Sequence, residues 1–525
     1  MRPPRSSLLV AALALSPTLA AAAPPRIADA DTRAWWAHTS HLASDAMEGR
    51  DTGSPGHARA ARWTAERFRA AGLTPAGEGG GYLQAIPLHE VKVEPQGTRF
   101  GSTPDGGGAR QAYAFLQEIT VRPSATLPAT LSGSLAFRGY CGKAEMGEVR
   151  GKVVVCFGGR RSGVPGGGER LQAAVAGGAA GLIAVDDPGF TVEPARWPEA
   201  YARSVTIREA GPTEGPPSVA PVAGAAAALP VIRISPDAFT RLLAPARRDA
   251  TAILRDGAAS RPLPGFDVPA RFEAAFRTSQ RDLVSENVLG LLPGTDPRLK
   301  REVVVVSAHL DGYGHGTPVG GDGLYNGAFD DAAYVATLIR LAESRAGRGF
   351  RRSVLFAAFT GEEKGLLGAN WFVRHPTTPR ADLVADLNLD QLRPLFPLKL
   401  MTVHALDQTT LGADARAVAA SMNIEVQADP EPERNLNQRA DHWPFLRAGV
   451  PATGFVFGYR NGTEDERRYR EWYQVRYHRP QDDLGQPWVP TAARDFNRFF
   501  YKLTERVADA EAAPAFLPEG RKPAG

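Results

Sequence analysis

Cysteine is scarce in this 525-residue sequence, which contains only Cys141 and Cys156. The chain therefore forms at most one internal disulfide. Each cysteine lies beside an apolar, strand-like run. A disulfide and a pair of buried free thiols both fit this pattern, because the sequence does not show whether the two Cβ atoms face each other.

Long apolar runs are also missing beyond the first residues. The N-terminus has a basic segment with Arg2 and Arg5, then an apolar segment, then small residues, which is the order of a secretory signal peptide. We expect cleavage near Ala23. The apolar part is too short to span a bilayer, and no cysteine follows it for lipid attachment. The mature protein is therefore expected to be soluble and exported, either periplasmic or secreted, without membrane insertion.

Neither sign of charge is in clear excess. The chain has 61 basic and 57 acidic residues, and two of the basic residues fall within the predicted signal peptide. This balance provides no electrostatic basis for binding nucleic acid or an anionic membrane. We find no internal repeat, and the oligomeric state is unknown at this point.

The stretch from Val303 to Asp331 is the most informative part of the chain. Four consecutive valines predict a short buried strand of the parallel-sheet kind. His309 and Asp311 follow at its carboxyl end, where ligands bind in open α/β sheets. A glycine-rich loop then returns the chain to Asp330, so an imidazole and carboxylates are expected to converge.

Two further apolar runs end in acidic residues. Ser353–Phe359 is followed by Glu362 and Glu363, and the run 384–389 is followed by Asp390. A turn-rich segment near the C-terminus adds a second imidazole, His478. Two histidines and three carboxylates suit a zinc site.

Five segments together carry a resemblance to a known family. They read, in order, A-H-L-D, G-A-F-D-D, G-E-E-K-G-L-L-G, L-N-L-D and Y-H-R-P-Q-D-D. They resemble the successive metal motifs of metallopeptidase family 28, the di-zinc aminopeptidases related to glutamate carboxypeptidase and the transferrin receptor. The segments L-A-S-D-A-M-E-G-R-D-T-G-S-P-G and R-A-D-H-W-P-F-L-R-A-G-V-P-A extend the resemblance over most of the mature chain.

The resemblance implies a cofactor of two Zn²⁺ per chain and a role for each site residue. His309 and Asp390 would hold one zinc, Glu363 and His478 the other, and Asp330 would bridge them. Glu362 takes the position of the general base, which removes a proton from metal-activated water.

The resemblance also implies a fold and a domain organisation. The fold class is α/β, with a mixed central sheet flanked by helices and an inserted small β-rich domain. We expect the zinc peptidase domain at 24–113 and 266–508, a protease-associated domain at 114–265 and a C-terminal tail at 509–525. The insertion contains none of the candidate ligands, so its removal is expected to leave a foldable core.

Three neighbouring residues have roles that the sequence alone leaves open. Asp311 is interpreted as a residue that orients His309 through its other ring nitrogen. Asp482 either does the same for His478 or stabilises a turn. Tyr477 either donates its hydroxyl to a developing oxyanion or forms an aromatic wall.

Several functions remain possible on this fold. The leading hypothesis is an exported exopeptidase that acts on peptides, most simply an aminopeptidase whose anionic site attracts the substrate's α-amino group. Tyr334, which stands where relatives commonly have a small residue, is expected to narrow the mouth of the cleft. A carboxypeptidase would need clustered arginines to hold a carboxylate, and the candidates are Arg393, Arg434, Arg439, Arg460 and Arg476. A non-catalytic, receptor-like binding module and a one-zinc glutaminyl cyclase are less consistent with the complete set of ligands.

Overall fold

The computed structural model describes residues 26–159, 163–188, 197, 199–208, 229–390 and 393–518. The predicted signal peptide, residues 1–23, lies outside these ranges, so cleavage and export stay predictions. Within them, no helix combines the length and the apolarity needed to cross a membrane.

Helices and strands alternate through the described ranges. The helices are α1 (Ala30–Leu42), α2 (Pro55–Ala70), α3 (Gly167–Ala176), α4 (Pro236–Leu243), α5 (Ala250–Ala258), α6 (Ala333–Ser344), α7 (Leu367–Arg374), α8 (Leu411–Ser421), α9 (His442–Arg447), α10 (Glu464–Val475) and α11 (Pro490–Asp509). The first ten strands are β1 (Thr74–Pro75), β2 (Leu83–Val93), β3 (Arg99–Pro104), β4 (Gln111–Tyr113), β5 (Ile119–Val121), β6 (Thr130–Arg138), β7 (Val153–Phe157), β8 (Gly181–Val185), β9 (Arg203–Ile207) and β10 (Val231–Ile234). The others are β11 (Gly265–Ala275), β12 (Thr278–Leu292), β13 (Val303–His309), β14 (Gly314–Val319), β15 (Asp322–Tyr325), β16 (Ser353–Phe359), β17 (Leu383–Leu389), β18 (Leu400–Val403), β19 (Glu425–Gln427) and β20 (Ala452–Phe457).

The larger sheet has the valine-rich strand β13 near its centre. Its strand order is β19-β18-β20-β17-β13-β16-β12-β2-β9, with β1 paired to β12. β13 runs parallel to β16 and β17, whereas β12 is antiparallel to β16. The sheet is therefore mixed, as predicted. Its central strands bring their carboxyl ends to one edge.

Helices cover both faces of this sheet. Alternate residues of β13 point to opposite faces, so each face contributes side chains to its own core. Val304 and Val306 contribute to a core with residues of α1, α2, α6, α8 and α11. Val303 and Val305 face a second core with residues of α7 and α9. Each fully buried valine contributes roughly 1.5–3 kcal/mol to stability, so the strand is held firmly on both sides.

The N-terminal helices follow from local signals in the sequence. Ser54 caps α2 by accepting a hydrogen bond from the amide of His57, and Pro55 occupies its first turn. The chain leaves this helix through Gly72, whose φ of +82° is in the left-handed region.

A second sheet of eight strands lies within the inserted part of the chain, in the order β4-β3-β11-β6-β7-β8-β10-β5. In chain order, its first strand, β3, begins at Arg99, and its last strand, β11, ends at Ala275. This sheet therefore extends beyond the predicted bounds of 114–265 on both sides. The alternating residues around 99–104 and 265–275 predict strands but do not specify which sheet they join. Cys141 and Cys156 form a disulfide in this unit, with their Cα atoms 5.6 Å apart.

One strand of the inserted part belongs to the larger sheet instead. β9 pairs with β2 and forms the edge of that sheet, so that Val205 lies opposite Glu90. Arg203, at the start of β9, forms ion pairs with Asp51 and Glu90. The inserted unit is thus attached to the larger sheet at a third point, in addition to its two chain connections.

The predicted tail also packs against the larger unit as far as it is described. Thr410 donates to the carbonyl of Ala515, and Leu517 donates to that of Gln408. Residues 510–518 therefore run along the start of α8.

Candidate metal centre

Five predicted ligands meet at the carboxyl edge of the larger sheet. His309 ends β13, Glu363 follows β16, and Asp390 follows β17. Asp330 lies in the turn before α6, and His478 lies in the turn after α10. Their side chains are at most 8% exposed. The topology brings together residues that are up to 169 positions apart in the sequence.

Asp330 faces both histidines. Its Oδ1 is 3.3 Å from Nε2 of His309, and its Oδ2 is 3.6 Å from Nε2 of His478. Asp390 lies 4.0 Å from the same nitrogen of His309, and Glu363 lies 3.5 Å from that of His478. Two donor groups result, His309–Asp330–Asp390 and Asp330–Glu363–His478, each with its ligand atoms within 4.8 Å of one another. The family resemblance implies the same two groups.

The chemistry of these donors fits zinc ions. Nε2 of His309, Oδ2 of Asp330 and Oε1 of Glu363 are buried without a hydrogen-bond partner. Such unsatisfied polar atoms are costly, and a bound cation would satisfy them. Burial, reinforced by repulsion from Asp330, raises the pKa of Glu363 well above its ordinary value. A cation would relieve that repulsion. The mixture of imidazole and carboxylate donors is typical of zinc sites.

Glu362 borders this centre without belonging to either of the two groups that share Asp330. It forms a third group of potential donors with His309 and Glu363. Burial raises its pKa well above the ordinary value. Its backbone amide donates to Oδ1 of Asp311 at 3.1 Å, which fixes the turn after β16.

Asp311 contacts His309 through its backbone and the turn of Glu362 through its carboxylate. The ring Nδ1 of His309 lies 3.0 Å from the backbone carbonyl of Asp311, while the carboxylate is 3.8 Å away. That carboxylate instead accepts hydrogen bonds from the hydroxyl of Thr52 and the amide of Glu362. Asp311 therefore orients His309 through its backbone carbonyl rather than through its carboxylate. The backbone holds the imidazole, and the carboxylate holds the turn that carries Glu362.

Asp482 stabilises the turn that presents Asp330. One of its carboxylate oxygens accepts from the amide of Phe329 and the other from the amide of Asp330, both at 3.0 Å. Of the two alternatives left open by the sequence, the structure supports the turn-stabilising one. The peptide bond between Asp330 and Asp331 in this turn is cis.

Two tyrosines that the sequence did not single out contact the second donor group. The hydroxyl of Tyr313 donates to Oε2 of Glu363 at 2.5 Å and lies 3.2 Å from Nε2 of His478. The hydroxyl of Tyr201 lies 2.9 Å from Nδ1 of His478. Tyr313 directly follows the A-H-L-D-G segment, which provided a signal. Tyr201 lies in the inserted part of the chain, where no feature of the sequence indicated a role in the site.

Tyr477 stacks on His478, with ring centroids 3.6 Å apart and an interplanar angle of 27°. Its hydroxyl accepts from the guanidinium of Arg439 at 3.4 Å. The residue is buried and lines the cavity over the metal centre. This arrangement is compatible with both of its predicted roles.

Tyr334 does not narrow the cleft, and that prediction was wrong. The side chain is fully buried in α6, with its ring 5.3 Å from that of Phe496. It is absent from the described residues that line the cavity. The reason is that α6 is packed on nearly every side, so this position faces the core.

A cavity of about 420 Å³ lies directly over the candidate ligands. Its walls come from both units of the chain and include Arg122, Tyr201 and Arg203 from the inserted part. Lys364, whose pKa is lowered to about 7 by burial, also lines the cavity and pairs with Asp51, as Arg203 does. The cavity therefore joins an anionic floor to a wall of basic side chains.

The five candidate arginines do not form one cluster. Within the described ranges, Arg439 is the member of the set that lines the cavity. Arg393 is fully buried, 3.6 Å from Oδ2 of Asp330, with its guanidinium 4.0 Å above the ring of Trp472. The other three contact Glu431, Glu425 and the carbonyl of Gln481, respectively.

The two donor groups at the sheet edge have the composition of a zinc site. Residues 287–504 match the model of Peptidase family M28. The matched region contains all five candidate ligands and Glu362 but excludes the inserted part.

Curated relatives are similar over part of the chain. The chain is 27% identical over 191 residues to leupeptin-inactivating enzyme 1 of Streptomyces exfoliatus, a match that covers 35% of this chain and 40% of that enzyme. It is 23% identical over 221 residues to the probable leucine aminopeptidase 2 of Aspergillus oryzae, covering 39% and 42% of the two chains. The chain thus matches less than half the length of each of these relatives.

Solved structures are similar over almost the whole chain. An aminopeptidase from Aneurinibacillus sp. strain AM-1 superposes with a TM-score of 0.60 at 15% identity, covering 92% of this chain and 95% of that one. A zinc aminopeptidase from Bacillus subtilis superposes with a TM-score of 0.59 at 17% identity, covering 92% and 96%. At these identities the likeness establishes the fold alone.

Proposed function

We propose that this protein is an exported exopeptidase that uses two zinc ions to hydrolyse peptide bonds. The main support for two ions is the position of Asp330, whose two carboxylate oxygens face different histidines at 3.3 and 3.6 Å. One carboxylate that serves two donor groups suits a pair of cations, because its negative charge offsets their mutual repulsion. His309 and Asp390 would hold one ion, and Glu363 and His478 the other.

Three residues of the chain have proposed roles in the reaction besides holding the metal ions. Bound zinc supplies an activated water with a pKa near 7 and polarises the scissile carbonyl. Glu362 takes the water's proton and passes it to the leaving amine, since it stands beside both donor groups. Asp311 holds the backbone of Glu362 in place. Tyr477 remains a candidate hydrogen-bond donor to the substrate.

Aminopeptidase activity is the specificity that we favour. A free α-amino group, largely cationic near its pKa of about 8, suits the anionic floor of the cavity. Several similar proteins also carry the name aminopeptidase. The inserted unit forms part of the cavity wall, which favours short or terminal substrates over internal bonds of folded proteins.

A carboxypeptidase is the second candidate, and the basic wall of the cavity supports it. Arg122, Arg203, Lys364 and Arg439 all line the cavity. Arg203 is already paired with Asp51 and Glu90, which reduces its capacity to bind a substrate carboxylate. We therefore rank this function second.

Export is also part of the proposal. It is supported by the signal-like N-terminus and by the disulfide between Cys141 and Cys156, since disulfides persist mainly in oxidising compartments.

Metal analysis of the purified protein tests the two-zinc proposal. We expect two zinc ions per chain in the fully active form, together with loss of turnover on chelation and recovery when zinc is restored. Full activity with one zinc ion or none would overturn the proposal.

One peptide in three forms tests the substrate specificity. The free amine and the C-terminal amide should be cleaved, whereas the N-acetyl form should resist, because acetylation removes the charged amine. Cleavage that survives acetylation but fails on amidation would support the carboxypeptidase instead. The reaction is followed by mass spectrometry, which also identifies the residue that is released.

A further inference from the structure

Tyr201 extends from the inserted unit to the metal centre. It lies in a short 3-10 turn, Glu199–Ala202, immediately before β9. Its hydroxyl oxygen is 2.9 Å from Nδ1 of His478. Its ring stacks on that of Tyr313, with centroids 5.6 Å apart and an interplanar angle of 26°. The inserted unit therefore directly contacts a candidate zinc ligand.

This turn is held from two sides. Ala202 packs with Leu116 and Trp197 in a buried cluster of the inserted unit. Arg203, the next residue, forms ion pairs with Asp51 and Glu90 at the edge of the larger sheet. Tyr201 is thus fixed between a core of one unit and a strand of the other, so its hydroxyl has a defined position.

The geometry of His478 determines what this contact does. Its Nε2 faces Asp330 and Glu363 at 3.6 and 3.5 Å, so this is the nitrogen that would bind zinc. A neutral imidazole that binds metal through Nε2 carries its proton on Nδ1. That proton is then donated to the oxygen of Tyr201. The contact fixes the orientation of the ring.

The two candidate ligand histidines differ in the group that their Nδ1 atom contacts. Nδ1 of His309 lies against the backbone carbonyl of Asp311, two residues along its own strand end. Nδ1 of His478 depends on a side chain from a different unit, 277 positions away in the sequence. A change in the inserted unit should therefore affect the two halves of the metal centre unequally.

We propose that Tyr201 is a positioning residue through which the inserted unit sets the affinity of the His478 half of the metal centre for zinc. The inference rests on the proposed function, in which His478 and Glu363 hold the second zinc. It also assigns the inserted unit a role in assembling the site, beyond that of a wall.

The test compares Tyr201→Phe with Tyr113→Phe in the full-length protein. Tyr113 is a matched control, because it is a buried tyrosine of the inserted unit whose hydroxyl bonds to Ser102 at 2.8 Å, away from the metal centre. Zinc affinities are measured by competition with a chromophoric chelator, without substrate. Loss of such an outer partner typically weakens metal binding 10–100-fold. We expect a loss of about this size for one of the two zinc ions in Tyr201→Phe, and wild-type binding in Tyr113→Phe.

Turnover gives a second measurement. In Tyr201→Phe, kcat should recover substantially when zinc is raised to saturate the weaker site. Arg203→Gln, which loosens the anchor of the turn, should weaken the same zinc ion to a smaller degree. It provides a second test if Tyr201→Phe folds poorly.

The measurements distinguish failure of this inference from failure of the proposed function. Wild-type zinc binding by both Tyr201→Phe and Arg203→Gln would overturn the inference and leave the proposed function intact. Equal weakening of both zinc ions would also overturn it, since that result indicates general destabilisation. A wild-type protein that binds fewer than two zinc ions at full activity would overturn the proposed function itself.

Discussion

Glu362 and Glu363 follow the same strand but have different surroundings. Glu363 accepts a hydrogen bond from Tyr313 at 2.5 Å and lies 3.5 Å from His478, within the second donor group. Glu362 is held through its backbone by Asp311. Adjacent residues at a strand end point in different directions, so two chemically identical side chains are suited to different tasks.

Substitution of each glutamate by glutamine should separate these tasks. Glu362→Gln should keep both zinc ions but lose about 10²–10⁴-fold in kcat, the usual contribution of a general base. Glu363→Gln should lose zinc, because a neutral amide is a poor substitute for a carboxylate ligand. Zinc content after gel filtration and kcat on a peptide substrate provide the two measurements. The reverse pattern would exchange the two roles.

At the scale of elements, the turn before α6 depends on a contact from the C-terminal part of the chain. Asp482 accepts hydrogen bonds from the amides of Phe329 and Asp330, and Gln486 donates to the same carboxylate. This single side chain therefore positions the carboxylate proposed to bridge the two zinc ions.

Asp482→Ala should leave two buried amides without acceptors, at a cost of about 1–3 kcal/mol each. We expect a lower melting temperature and weaker binding of both zinc ions, because Asp330 belongs to both donor groups. Asp483→Ala is the control, since this neighbour is partly exposed and its carboxylate accepts from the amide of Gly485. Equal effects of the two substitutions would contradict the assigned role of Asp482.

At the scale of the whole molecule, the second sheet begins and ends outside the predicted insertion bounds. Its true ends determine which segment can be deleted without separating strands that pair with each other. The predicted insertion bounds of 114–265 would leave β3, β4 and β11 behind without their partners. Those strands carry Phe100 and Phe272, which are buried in the core of the second sheet. By contrast, the amide of Glu94 donates to the carbonyl of Arg277 at 2.7 Å, so the two ends of the unit nearly meet there.

Two deletions should therefore behave differently. Removal of 114–265 should give an insoluble protein, because apolar strands become exposed. Removal of 95–276, with a short turn between Glu94 and Arg277, should give a soluble protein with low activity, since Tyr201 and β9 are lost. Soluble yield and circular dichroism measure the outcome. Equal solubility of the two proteins would show that β3, β4 and β11 do not need the rest of the second sheet.

The sequence by itself determined the strand ends and the residues that follow them. Runs such as Val303–Val306 have few alternatives to a buried parallel strand, and parallel strands bring their carboxyl ends to one edge. That is why His309 and Asp390 could be predicted as neighbours. The family resemblance added the choice of Glu363 over Glu362 as the ligand and its pairing with His478, which local pattern alone does not connect.

Tertiary structure decided what depends on contacts between distant segments. Only the packed chain shows that Tyr201 touches His478, that the carboxylate of Asp311 serves the Glu362 turn, and that Tyr334 faces the core. The same holds for β9, which leaves its own unit to join the larger sheet. Local sequence fixes the conformation of a segment and its apolar face. The choice of partner for that face is made by the whole chain, because it depends on which other surfaces remain to be buried.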